Sequence, residues 1–312
     1  MAEIIFVTNM EPHYVGMRDA LNTIENKEIS DAVEVIQIND SEQWNGYWQQ
    51  KLQGAGFFFC TWMGTGLSCD YLKKASAFLQ QEKLYHLFDI IDPGDDKMDY
   101  GLQEEQKSLL KQYLACGGLM NYQNLCLYLV DTFTQQKIAY KLPEQLPWCG
   151  IYHPEFKHEF GELDAYLAKH FDSSKPTVGF IFSREDWLWQ RLAYQNEIIR
   201  AVEAQNCNVI AVFSTTMPNE KTGAVSLTTA FERFFYKNGR PCIDVLINPF
   251  VFSLTVTGFL KLQDLQQLGV PVLQVVNTYM PYKWWQQSMV GLTPNEVSYA
   301  VCMPEFDGAL HS

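Results

Sequence analysis

Short apolar runs alternate with polar turns and helix-like segments along most of this 312-residue chain. A run such as Val33–Ile38 (VEVIQI) has the length of one strand, and a segment with helical periodicity follows it. Strands that alternate with helices form parallel sheets, because each helix returns the chain to the edge where the next strand begins. The pattern predicts an α/β fold with two Rossmann-like domains and mostly parallel sheets. The predicted strands are Glu3–Thr8, Val33–Ile38, Phe57–Cys60, Leu87–Ile91, Thr177–Phe182, Asn208–Phe213, Ile243–Ile247 and Val270–Val276.

A proline-rich stretch, Leu142–Phe156, separates the two groups of predicted strands. Its prolines, Pro143, Pro147 and Pro154, oppose regular secondary structure. We therefore expect an amino-terminal α/β domain over residues 1–140, a linker over 141–174 and a second Rossmann-like domain over 175–312.

Composition limits the classes of protein to which the chain can belong. The net charge of −13 argues against a nucleic-acid partner, because phosphates need a basic surface. No apolar run reaches about eighteen residues, so we expect no membrane span. The first residues, MAEIIFVTNM, lack the basic start of a signal peptide, so we expect a cytoplasmic protein. The eight cysteines form no CxxC pair, which indicates free thiols rather than a metal cluster.

The last predicted strand leads into the most informative part of the sequence. Ligands of open α/β sheets bind at the carboxyl ends of strands, and Val270–Val276 ends at Asn277, before a polar and aromatic loop, Thr278–Gln287. Thr293 and Glu296 then have the spacing of a capping box for a helix over 294–301. That helix carries the chain to the proline-led turn 304–308 (PEFDG), which holds two carboxylates.

The segment 291–308, GLTPNEVSYAVCMPEFDG, resembles a segment shared by the large subunits of the cobalt and magnesium chelatases of tetrapyrrole synthesis. The stretches 113–133, 150–154 (GIYHP) and everything from residue 175 onwards are similar to the same family. Family members are several times longer, so the chain resembles an amino-terminal piece of such a subunit or a truncated relative. The matching positions in the segment 291–308 are Gly291, Leu292, Pro294, Pro304, Glu305, Asp307 and Gly308.

The resemblance implies a subunit that binds a tetrapyrrole and a metal. Separate ATPase subunits then supply the ATP-driven step, and the remaining carboxyl-terminal part of the large subunit contributes to the pocket. The sequence has no Walker motif, which agrees with an ATPase supplied by a partner. Cobalt insertion into a corrin precursor is the first expectation and magnesium insertion the second, with the metal as substrate rather than resident cofactor. We do not expect this chain alone to be an active enzyme.

Metal insertion needs groups that hold the macrocycle and groups that remove its pyrrole protons. Carboxylates and histidine serve proton removal, and we expect Glu305, Asp307 and His153 to be catalytic. Aromatic and polar side chains serve binding, and no metal ligand is assigned. The expected tetrapyrrole-binding residues are Ser183, Arg184, Asn248, Asn277, Tyr279, Trp284 and Trp285.

These residues also have structural interpretations. His153 can lock a linker by hydrogen bonding or clip a metal with Glu155 or His158, the two tryptophans can pack between domains, and the PEFDG carboxylates can hold their own turn. We interpret the loops 61–66 (TWMGTG) and 92–99 (DPGDDKMD) as a tight turn and a solvated acidic loop rather than phosphate and cation sites. For the whole chain, the competing classes are a non-catalytic two-lobed small-molecule-binding module and a glycosyl-transfer enzyme.

Overall fold

The computed structural model describes residues 3–39, 41–64, 69–91, 99–156, 161–220, 223–278 and 282–311. The chain divides into two compact units, Met1–Leu146 and Pro147–Ser312. Each unit has its own sheet and its own cluster of buried apolar residues. No helix within the described ranges is both long enough and apolar enough to cross a membrane.

The first unit is built around a five-stranded sheet with the order β2-β1-β3-β4-β5. Neighbouring strands are parallel except for the short β5, which is antiparallel to β4. The central strand, β3, is buried from Phe57 to Trp62, as expected for a strand covered on both faces. The elements are β1 (Ile4–Thr8), α1 (Glu11–Asn22), α2 (Lys27–Asp31), β2 (Val33–Gln37), α3 (Gly46–Leu52), β3 (Phe57–Met63), α4 (Asp70–Gln81), β4 (Tyr85–Ile91), β5 (Asp99–Tyr100), α5 (Glu104–Cys116) and α6 (Leu119–Phe133).

The second unit has a six-stranded sheet with the order β13-β12-β11-β7-β8-β6. All neighbours are parallel except β6, which is antiparallel to β8. The predicted α/β class with mostly parallel sheets is confirmed. The elements are β6 (Gly150–Ile151), α7 (Leu163–His170), β7 (Thr177–Ser183), α8 (Arg184–Leu188), α9 (Ala193–Ala204), β8 (Asn208–Ser214), α10 (Leu227–Phe234), β9 (Tyr236–Lys237), β10 (Arg240–Pro241), β11 (Val245–Asn248), α11 (Leu262–Leu268), β12 (Val272–Gln274), α12 (Tyr282–Gln287), α13 (Pro294–Val297) and β13 (Leu310–His311).

The observed helices and strands of the segment 270–308 differ in detail from those that its sequence predicts. The last predicted strand is shorter, since β12 spans only Val272–Gln274, and the loop that follows contains the helix α12. The predicted helix over 294–301 begins with the expected Thr293–Glu296 capping box. It then widens into a π-helical turn, Ser298–Cys302, before a 3-10 turn over Pro304–Asp307. These departures depend on tertiary contacts of the turn, which local periodicity does not encode.

Candidate functional site

Four parallel strands of the second sheet end at one edge, beside a cavity of about 440 Å³. The chain passes from β7 to β8 on one side and later to β11 and β12 on the other, so the strand order reverses between β7 and β11. A reversal of this kind opens a crevice at the carboxyl ends of the strands, where open α/β sheets bind ligands. The cavity is lined by Ser183, Asp186, Tyr194, Thr216, Pro249, Phe250, Val251, Asn277 and Thr278.

Asp186 is the acidic side chain among these lining residues. Tyr194 Oη and Gln195 Nε2 both donate hydrogen bonds to its Oδ2, at 3.2 and 2.7 Å. Burial raises the pKa of the Asp186 carboxyl, and this effect outweighs the two hydrogen bonds, which favour the charged form. Such a carboxyl takes up a proton more readily than an exposed aspartate does, which suits it to proton transfer.

The protonation chemistry of Asp186 is coupled to its neighbour Gln195. Gln195 is fully buried, and its Oε1 has no hydrogen-bond partner among the residues that the structure describes. A flip of the Gln195 side-chain amide would present Oε1 to the carboxyl, so Gln195 can form a hydrogen bond with either the charged or the neutral form of Asp186. The carboxylate accepts from Nε2, and the neutral acid donates to Oε1.

Two of the expected binding residues, Ser183 and Asn277, line this cavity. Ser183 caps α8, since its Oγ accepts a hydrogen bond from Glu185 N at 3.1 Å. Asn277 Nδ2 donates to Pro249 O at 3.3 Å and so supports the opposite wall. Both residues stand directly after predicted strands, Thr177–Phe182 and Val270–Val276, which is why the strand pattern alone directs attention to them.

Asn248 and Arg184 are buried and engaged elsewhere. Asn248 Nδ2 donates to Gln274 Oε1 at 3.0 Å, and its Oδ1 accepts from Phe250 N at 3.1 Å, so it fixes the turn that forms the wall of the cavity. The guanidinium of Arg184 lies 4.0 Å from the centre of the Trp148 ring, and its Nε donates to Pro147 O at 2.8 Å. Neither side chain is among the described residues that line the cavity.

His153 belongs to the other end of the sheet. It follows β6, which runs antiparallel to β8, so the chain leaves β6 towards the amino-terminal end of β8. The ring is buried, stacks on Phe156 at 4.2 Å and lies with Nε2 3.1 Å from Glu203 Oε1. Its Nδ1 accepts from Glu155 N at 3.2 Å, which matches the interpretation of a hydrogen-bonded structural histidine. His158 lies outside the described residues.

Asp307 and Glu305 have different environments although they belong to one turn. The Asp307 carboxylate accepts hydrogen bonds from Ser253 Oγ, Leu254 N, Thr255 N and Thr255 Oγ1 at 2.6–3.1 Å. Glu305 is exposed, and its nearest described ionic partner is His311 Nε2 at 3.8 Å. Asp307 therefore ties the PEFDG turn to the segment 253–255, whereas Glu305 faces solvent.

The two tryptophans lie on α12, which contains no buried residue. The exposed fractions of Trp284 and Trp285 are 71% and 45%, and Tyr282 stacks on Trp285 with ring centres 6.2 Å apart. Tyr279, another expected binding residue, lies outside the described residues. The helix thus presents aromatic faces to solvent, which is uncommon without a ligand or partner.

Sequence reasoning missed three polar lining residues, namely Asp186, Tyr194 and Thr216. Asp186 stands three positions after the end of β7, inside the turn-to-helix segment SREDWLW. A carboxylate so close to a strand end is a usable signal. Tyr194 comes from α9, and its place beside Asp186 depends on how that helix packs, which sequence spacing does not show.

No group of three or more His, Cys, Asp and Glu side chains within the described ranges has a metal-binding arrangement. The described cysteines are free thiols, as expected. Most of the loop 92–99 and part of the loop 61–66 lie outside the described residues, so the interpretations of these loops remain predictions.

Glu296 connects the helix α13 to the wall of the cavity. It is buried, and its Oε1 accepts from Thr278 Oγ1 at 2.6 Å while its Oε2 accepts from Thr293 N at 2.7 Å. We expect Glu296→Ala to lower the free energy of unfolding by about 2 kcal/mol, because two donors lose their acceptor. Urea denaturation measures this loss. Glu296→Gln is the control: it keeps one acceptor oxygen and should lose clearly less, and an equal loss would contradict the assignment.

Comparison with known proteins identifies similar sequences. A family model described as CobN/Magnesium Chelatase matches residues 111–312. An uncharacterised protein of Methanocaldococcus jannaschii is 34% identical over 69% of this chain and 18% of its own length. The aerobic cobaltochelatase subunit CobN of Pseudomonas aeruginosa is 24% identical over 70% of this chain and 17% of its own length.

The match extends to a plant protein and to a solved structure. The chloroplastic magnesium-chelatase subunit ChlH of Oryza sativa is 23% identical over 64% of this chain and 15% of its own length. The catalytic subunit of cobaltochelatase from Mycobacterium tuberculosis has the same fold, with a TM-score of 0.63 at 15% identity, across 99% of this chain and 24% of that one. The chain thus spans less than a fifth of each of these curated relatives.

Proposed function

The chain belongs to the CobN/magnesium chelatase family, and on that premise we propose that it forms part of a large subunit that holds a tetrapyrrole during metal insertion. Cobalt and a corrin precursor are the preferred substrates, and magnesium and a porphyrin are the alternative. Separate ATPase subunits drive the reaction in this proposal. The observation that carries it is that the cavity beside β7 and β11 lies wholly within the matched stretch, 111–312.

The cavity volume indicates which part of a macrocycle it would accept. About 440 Å³ lies in the lower half of the range for small-molecule sites, roughly 300–1,000 Å³. We propose that one edge of the tetrapyrrole enters, between Phe250 on one side and the polar groups of Ser183 and Asn277 on the other. The rest of the ring would lie outside, where aromatic faces such as those of Trp284 and Trp285 can stack on it.

Asp186 is the proposed proton acceptor in this cavity. Each pyrrole N–H that reaches the site must lose its proton before the nitrogen can bind a metal. Among the described residues, hydrogen-bond donors reach only Oδ2 of Asp186, so its Oδ1 is available to such a group. Glu305 stays a proposed catalytic residue as an exposed carboxylate. For Asp307 and His153 we favour structural roles, because hydrogen bonds already occupy both.

The proposal is tested by titrating the chain with a metal-free porphyrin and with a metal-free corrin precursor. We expect a shift of the visible absorbance and quenching of tryptophan fluorescence. Asp186→Asn should weaken the response about tenfold or more, as expected when a buried polar partner is lost. Glu197→Gln makes the same chemical change on the exposed face of α9 and serves as the control.

Two results would contradict the proposal. One is a titration without spectral change or quenching for either macrocycle, which would favour a module that binds some other small molecule. The other is a titration in which Asp186→Asn and Glu197→Gln bind the macrocycle equally well, which would mean that the macrocycle does not bind in this cavity.

A further inference from the structure

The first unit has a cavity of its own, at the carboxyl ends of β1 and β2. Its volume is about 760 Å³, within the range for small-molecule sites, roughly 300–1,000 Å³. The strand order of this sheet reverses between β1 and β3, so the cavity lies at the edge where open α/β sheets bind ligands. The stretch that the family model matches does not include this edge, and the function proposed above does not use it. The described lining residues are Asn9, Gln37, Ile38, Asn39, Ser41 and Glu42.

The carboxylate of Glu42 is the charged group among these described lining residues. Trp48, which is buried, donates its indole N–H to Glu42 Oε1 at 3.0 Å. The indole is itself held in the core, because it packs edge-on against the fully buried ring of Tyr71 with ring centres 5.0 Å apart. Among the described residues, hydrogen-bond donors reach only Oε1 of Glu42, so a fixed carboxylate offers its Oε2 to a ligand.

Side-chain amides stand beside this carboxylate, in the loop that follows β2. Asn39 Oδ1 accepts hydrogen bonds from the backbone N–H of Ser41, at 2.9 Å, and from the Ser41 hydroxyl. These two bonds shape the loop and leave Asn39 Nδ2 as a donor without a partner among the described residues. The exposed amide of Gln37, the last residue of β2, also has no hydrogen-bond partner within the described ranges. The cavity therefore combines one carboxylate with amide groups that can donate and accept.

The chemistry of the lining excludes two common classes of ligand. No lysine, arginine or histidine is among the described lining residues, so a phosphate would meet the carboxylate without a compensating charge. The helix α1, which begins at this edge, does not provide an anion site, because its first turn holds the carboxylate of Glu11 and Pro12, which has no backbone N–H. Ile38 is the apolar side chain among the described lining residues, so a large apolar ligand would find little surface to cover it. The lining thus favours a neutral ligand that is rich in hydroxyl groups.

We propose that this cavity binds an unphosphorylated sugar through two neighbouring hydroxyl groups, with Glu42 as their main acceptor. A carboxylate can accept from both hydroxyls of a vicinal diol, and hydrogen bonds to a charged acceptor are stronger than those between neutral groups. Dinucleotide-binding sheets hold a ribose hydroxyl with an acidic side chain in the same way. The amides of Gln37 and Asn39 would bind the remaining hydroxyls. The sugar is either free or the ribose of a nucleoside. The inference does not rest on the function proposed for the second unit.

The test titrates the full ¹⁵N-labelled chain with adenosine, D-ribose and D-glucose and follows the indole N–H resonance of Trp48, which Trp48→Phe assigns. We expect a saturable shift of this resonance, because a ligand on Glu42 changes the acceptor of the indole N–H. A free sugar that binds as tightly as adenosine would identify free sugars as the source, and a preference for adenosine would identify nucleosides. 2′,3′-Dideoxyadenosine keeps the base but lacks the diol, and it should bind at least about tenfold more weakly than adenosine. AMP should bind no more tightly than adenosine.

Variants assign the binding to this cavity. Glu42→Gln keeps an acceptor oxygen for Trp48 but removes the charge, and it should weaken binding of the preferred sugar about tenfold or more. Glu82→Gln, which makes the same change on an exposed residue at the opposite edge of the sheet, should bind as the wild type does.

Three results would overturn the proposal. They are the absence of a shift with all three probes at their highest soluble concentrations, equally tight binding of adenosine and its dideoxy analogue, and equal affinities of Glu42→Gln and Glu82→Gln. Glu42→Gln should keep the response to a metal-free porphyrin, so the proposals for the two units fail separately.

Discussion

Replacement of Asp307 by asparagine is expected to lower the stability of the second unit by about 3 kcal/mol, because a charged acceptor that serves several donors becomes a neutral one with a single oxygen. The affected donors are the hydroxyls of Ser253 and Thr255 and the amides of Leu254 and Thr255. Ser253 and Leu254 are buried, so water does not replace the lost acceptor. Hydrogen exchange of the amides of Leu254 and Thr255 measures the loss directly.

Glu305→Gln is the matched control, since it makes the same change two residues earlier on an exposed side chain. We expect its exchange rates and urea midpoint to stay at the wild-type values. If Asp307→Asn left the amides of Leu254 and Thr255 protected as in the wild type, the carboxylate would not hold this turn. Asp307 would then again be a candidate catalytic residue.

The segment around Asp307 shows what sequence reasoning can provide. Family resemblance identifies the PEFDG motif, and the sequence allows two interpretations of its carboxylates, a catalytic role and a turn that they hold in place. The choice between them depends on the partner of the carboxylate, the segment 253–255, which lies about fifty residues earlier in the chain. Local propensity gives the turn and its proline, but it does not give this long-range pairing.

The same limit explains the outcome for the other site residues. Buried strands were predictable because an apolar run such as Phe57–Cys60 has few alternatives to a central strand, and Ser183 and Asn277 follow from strand ends. The sequence does not show that β11 lies beside β7, so it does not show which strand ends share a cavity. It also does not show that Arg184 turns to Trp148 while Asp186, two residues later, faces the cavity, because both fit the first turn of a helix.

Asp186 provides the second prediction with a large expected effect. Burial raises the pKa of its carboxyl in the folded chain, whereas an aspartate in the unfolded chain has a pKa of about 3.9. Below that pH the Asp186 carboxyl is protonated in both the folded and the unfolded chain, so it does not change the free energy of unfolding. As the pH rises above that value, the carboxyl ionises first in the unfolded chain. The wild type therefore loses stability until the carboxyl ionises in the folded chain too.

Asp186→Asn removes this penalty, and we therefore expect the variant to be more stable than the wild type at pH 7. The gain in melting temperature should be absent near pH 3.5, below the pKa of an unfolded aspartate, and should grow as the pH rises above about 4. Thermal unfolding across this pH range measures the gain in melting temperature, and the control, Glu197→Gln, should show no such gain.

Asp186→Asn should also weaken the response to a metal-free tetrapyrrole. A side chain that lowers stability but supports binding is retained because of its function. If Asp186→Asn were less stable than the wild type at pH 7, the hydrogen bonds from Tyr194 and Gln195 would outweigh burial, and Asp186 would be a structural residue.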